Sequence, residues 1–135
     1  MKALNKYIIA ASLLGGSITA YAQTSLVGEW QGTDNNLPII DLNIKPNAGQ
    51  TIGSAVFYLI KRDSDGGTPY VGGQAVGPME NLNYEPEKLT FDMHRRDGSL
   101  VTFRVELVDS GHAKLFRTSD HTPEGTGFPL VRVIP

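Results

Sequence analysis

From residue 26 onward, stretches with apolar side chains at every second position appear repeatedly, and no window sustains the three-and-four spacing of a helix. Ile40, Leu42 and Ile44 share one face against Asp41, Asn43 and Lys45. Leu89, Phe91 and Met93 oppose Thr90, Asp92 and His94, and Val101, Phe103, Val105 and Leu107 oppose Thr102, Arg104 and Glu106. A period of two is the mark of a strand with one face in a core and the other in water. Turn formers punctuate the pattern: Asn47-Ala48-Gly49-Gln50, Glu85-Pro86-Glu87, Arg96-Asp97-Gly98-Ser99 and Asp109-Ser110-Gly111. The segments between them predict strands over 25–33, 38–45, 51–61, 81–84, 88–95, 100–108, 112–118 and 128–134. Eight short strands joined by tight turns specify an all-β, antiparallel up-and-down meander. Closure into a barrel removes its exposed edges, and an open two-sheet sandwich is the alternative.

The first 22 residues read differently. Lys2 and Lys6 precede a mostly apolar run over 7–14, and Ala20-Tyr21-Ala22 has the small-x-small form of a signal-peptidase site. The expectation is a signal peptide over 1–22, cut after Ala22, and one domain over 23–135, secreted or periplasmic. The apolar run is too short to span a bilayer, so no stable membrane insertion is expected after cleavage. Losing Lys2 and Lys6 moves the net charge from −2 to −4. A net-acidic domain whose Lys61-Arg62 and Arg95-Arg96 pairs are each followed by Asp is a poor nucleic-acid binder. There is no cysteine, which removes disulfides, thiolate metal sites and thiol nucleophiles.

One strand breaks the alternation. Segment 51–61 carries Ile52, Val56, Tyr58 and Ile60 on one face and Ala55, Phe57 and Leu59 on the other. The expectation places Tyr58 inward and leaves Phe57 and Leu59 outside. There they are covered by a loop or serve as a contact for a second copy or a protein partner.

The run Gly28-Glu29-Trp30-Gln31-Gly32-Thr33 resembles the G-x-W opening of lipocalins and related calycin barrels, and more closely that of small exported bacterial lipocalin-like domains. The resemblance implies that Trp30 closes one barrel end and that Arg132, on the last strand, stacks on its indole. Avidins share the opening, but their biotin pocket needs several tryptophans and this chain has one.

The remaining polar residues offer little local chemistry. His94, His112 and His121 are at no metal-ligand spacing, and no serine sits in a G-x-S-x-G elbow. Asp63-Ser64-Asp65-Gly66 has the opening of a calcium loop without its later carboxylate, leaving at most weak binding at Asp63 and Asp65. Tyr70, between two glycine pairs, reads as a lid residue on a mobile loop. No catalytic residue, metal or cofactor is assigned. Three functions fit. The first is a barrel binding a small, largely apolar molecule among Trp30, Tyr58, Phe91, Met93 and Phe103, with Arg132 as a polar group. The second is a filled barrel acting as a structural or protein-interaction domain. The third is an enzyme at the barrel mouth using His94, Asp92 or His121.

Overall fold

A computed structural model describes residues 25–95, 97–118 and 125–134. The expected signal segment and His121 lie outside them. Nine strands follow in order: β1 (Gly28–Asp34), β2 (Leu37–Asn47), β3 (Gln50–Lys61), β4 (Tyr70–Pro78), β5 (Glu80–Glu85), β6 (Lys88–His94), β7 (Leu100–Asp109), β8 (His112–Arg117) and β9 (Phe128–Arg132). They form one antiparallel sheet in the order β4-β3-β2-β1-β9-β8-β7-β6-β5, nearly closed into a barrel and compatible with a calycin-like fold.

The ends of that order, β4 and β5, are consecutive in sequence and separated only by Met79. Residues 70–85 therefore act as one bent strand whose first half pairs with β3 and whose second half pairs with β6. Asn81, at a φ of 50°, lies at the bend, where the β5–β6 register slips. Asn tolerates this left-handed backbone better than most residues. Counted this way, the barrel has the expected eight strands. Sequence reading treated much of 66–73 as a loop and missed β4, whose residues are almost all exposed on both faces and so carry no alternation.

The turns set the registers. Asn35 and Asn36 have φ of 51° and 65°, and Ala48 and Gly49 have 51° and 83°. Both pairs are two-residue connections with the positive φ that matches the twist of a hairpin. The second turn pairs Asn47 with Gln50, and hence Ile44 with Gly53, Leu42 with Ala55 and Ile40 with Phe57. Ile40, Leu42 and Ile44 are buried, so Gly53, Ala55 and Phe57 must face inward too. This corrects the expected facing of β3. Phe57 packs on the core, while Tyr58 and Val56 point outward. Leu59 shares the inner side of β3 but lies beyond the core and is exposed.

The core is continuous, running from Leu26 and Trp30 through Ile40, Leu42 and Ile44 to Leu89, Phe91, Val105 and Leu130. Segment 25–27 crosses one barrel end, where the Leu26 amide donates to the Pro86 carbonyl at 2.9 Å.

Candidate functional site

Trp30 is fully buried at that end, its indole N–H donating to the Leu26 carbonyl at 2.9 Å. Arg132 pairs with Trp30 across β1 and β9, and its guanidinium carbon lies 4.4 Å from the ring centroid. The same guanidinium donates to three carbonyls: Val27 at 2.7 Å, Ser25 at 2.6 Å and Ser110 at 2.6 Å. Burial lowers its pKa from the usual arginine value. Gly28 makes the approach possible: its φ is 134°, and a Cβ there would stand 2.7 Å from an Arg132 nitrogen. With all these donors committed to backbone, Arg132 acts as a clasp on the barrel end.

The expected pocket residues divide. Trp30, Phe91, Met93 and Phe103 are inside and buried, whereas Tyr58 is on the outer face. The inner aromatics meet across the space they enclose. Phe57, from β3, stacks on Phe103, from β7, with centroids 5.1 Å apart, and Phe103 stacks on Phe91 at 5.4 Å. β3 and β7 are not neighbours in the sheet, so this stack crosses the lumen. Met79 adds to this packing: it takes the place of a side chain at Gly53, where a Cβ would collide with its sulphur.

A half-open groove of about 380 Å³ lies instead on the outside of β1, β2 and β3. Glu29 and Gln31 reach it from β1, Asp41 and Asn43 from β2, and Ser54 and Val56 from β3, with Val133 at one side. The six from β1, β2 and β3 are outward partners of the strand alternation, and the buried Trp30 and Leu42 also border the groove. Asp41 is held in place, because Tyr58 donates its O–H to one carboxylate oxygen at 2.5 Å and Gln31 its amide N–H to the other at 3.2 Å. That bond to Asp41, then burial, raises the Tyr58 pKa above the usual tyrosine value. No cationic side chain is among the described residues lining the groove. Period-two reading put Asp41 and Asn43 on a polar face but Val56 inward with Tyr58, and nothing in the sequence marks a groove shared by three strands.

A second polar cluster sits on the outside of β5, β6 and β7. His94 Nδ1 and Glu80 are 2.5 Å apart, both substantially exposed. Asp92 accepts from Thr102 at 2.7 Å and Asn81 at 2.8 Å, and these two bonds lower its pKa. His94 and Asp92, neighbours in the enzyme reading, thus have separate partners. His112 is hydrogen-bonded to Asp109 in the β7–β8 turn at 2.8 Å. Among the described residues no three His, Asp or Glu side chains cluster as metal ligands, and the Asp65 carboxylate accepts from the Gly67 amide of its own turn. Tyr70 is exposed at the start of β4, paired with Lys61 in the β3–β4 hairpin.

No family model matches the chain, and neither a curated protein nor a solved structure does.

Proposed function

We infer that the chain is an exported, calycin-like β-barrel binding domain that recognises its ligand or partner on the outside of the barrel. The observation that carries this reading is the aromatic stack from Phe57 through Phe103 to Phe91, which spans the lumen and occupies the space that a lipocalin-type ligand would take. A small barrel either fills its interior with side chains or keeps a cavity, and the stack supports the first kind here. A groove of about 380 Å³ lies outside, lined mainly by polar groups on three adjacent strands. The Trp30–Arg132 clasp supports the calycin-like part of the reading, since it joins first and last strands as the G-x-W resemblance implies. Export rests on the segment ending Ala20-Tyr21-Ala22 and is tested by the intact mass of secreted material, expected to begin at Gln23.

The binding reading is tested with N-phenyl-1-naphthylamine, an uncharged apolar probe. Trp30 is the sole indole, so a lumen ligand reports itself by quenching it. The expected result is no saturable quenching. A second reading has one observation in its favour: Met79 and Met93 stand beside Gly53 and Gly77 where β4 leaves β5. Flexible thioethers can repack to admit a slender apolar molecule. One-to-one probe binding with loss of Trp30 emission would establish that reading in place of the first.

A further inference from the structure

We propose that the outer groove takes a small organic cation, a primary ammonium or guanidinium group on a short aliphatic stem. This rests on the outer-face reading above. Glu29 faces Asn43 and Gln31 faces Asp41 across β1 and β2, so the two carboxylates are diagonal neighbours on one face. Diagonal cross-strand positions lie about 7–8 Å apart, close enough for the two side chains to lean toward one ammonium and each accept a hydrogen bond from it. Asp41 is pre-oriented by Tyr58 and Gln31, which use one lone pair on each oxygen and leave others to accept. The lining contributes no cation to neutralise either carboxylate, so positive charge is the complementary one and an anion is repelled. Val56 and Val133 offer apolar wall for the stem. A neutral saccharide fits less well: Trp30 is fully buried, and the lining gives no aromatic face for a sugar ring.

The experiment is an amide NMR titration of the purified protein at low ionic strength with n-pentylammonium, against 1-pentanol and pentanoate, which share its stem. Pentylammonium should shift the signals of Gln31, Asp41, Asn43 and Ser54 saturably, with pentanol weaker and pentanoate inert. About 0.5 M salt should weaken binding, because these groups are at the surface. Glu29→Gln combined with Asp41→Asn should raise Kd about tenfold or more, as expected when an opposite charge is lost. Both positions are on the outer face, and unchanged circular dichroism checks the fold of the variant. Equal affinity for pentanol, or a Kd unmoved in the double variant, overturns the cation while keeping the outer-face reading. Silence at all four signals together with Trp30 quenching by the apolar probe overturns both. A capped Ala-Lys-Ala peptide that binds about tenfold more tightly than pentylammonium would assign the groove to a partner's lysine, overturning the small-molecule ligand.

Discussion

Trp30 and Arg132 form the contact on which the barrel end depends. Emptying a buried aromatic site costs about 3–5 kcal/mol, so Trp30→Ala should remove much of a total stability of about 5–15 kcal/mol. Arg132→Ala should cost less and be non-additive with it, because the side chains touch. A double-mutant cycle by chemical denaturation measures this, and additive losses would contradict the observed stacking. Arg132→Lys should recover little, since one ammonium cannot reach three carbonyls in the fixed fork of a guanidinium. Gly28→Ala should be destabilising for two reasons, its φ and the Arg132 nitrogen already in the place of a Cβ. Ala48 points the other way. It holds a left-handed φ at no benefit to packing, so Ala48→Asn should raise stability by about 0.5–1 kcal/mol in the same assay. Trp30 and Arg132 were legible in the sequence as a pair. The three carbonyls that fix the guanidinium were not, because backbone acceptors leave no mark on residue identity.

For single elements, alternation located most strands and misjudged one face. β3 is apolar on both sides, so its own pattern could not say which side is inner. Its partner could have. With Asn47 opposite Gln50, burial of Ile44, Leu42 and Ile40 obliges Gly53, Ala55 and Phe57 to be inside. Register carried across the turn, not hydrophobicity along the strand, decides the matter. β4 was hidden for the opposite reason: a glycine-rich strand exposed on both faces has nothing to alternate. The outward side of β3 has a pH signature. Tyr58 has a raised pKa, so its contribution is complete below the ordinary tyrosine value of 10.0 and is lost as pH rises through the higher folded value. Tyr58→Phe should therefore flatten the alkaline limb of stability against pH. Asp92 has a lowered pKa, so its contribution is complete above the ordinary value of 3.8 and is lost as pH falls through the folded one. Asp92→Asn should soften the acid limb without abolishing it, because Asp97 and Asp109 are lowered as well. Thermal unfolding across pH reads both changes.

Across the whole molecule, an aromatic stack bridges the lumen and a groove of about 380 Å³ lies on the outer face of β1, β2 and β3. Val56 illustrates the consequence for design. Val56→Trp should leave the core intact and fill the groove, placing a second indole there as a fluorescent reporter of its occupant. Loss of the folded β signal in that variant would show that Val56 is not on the outer wall. Composition and period gave the fold class because a packed β core imposes both. They gave no hint of the groove, which is lined by side chains from three strands. The pairing of β1 with β9 has a further consequence, one of timing. Trp30 meets Arg132 only after some hundred intervening residues have been made, and joining points that far apart costs about 4 kcal/mol in chain entropy. The hairpins from β1 to β4 are local and can form early, but the indole stays uncovered until the last strand arrives. A partly made chain lacking residues 128–132 is therefore held open by its own topology, and the Trp30 end of the barrel is completed only when that strand is present.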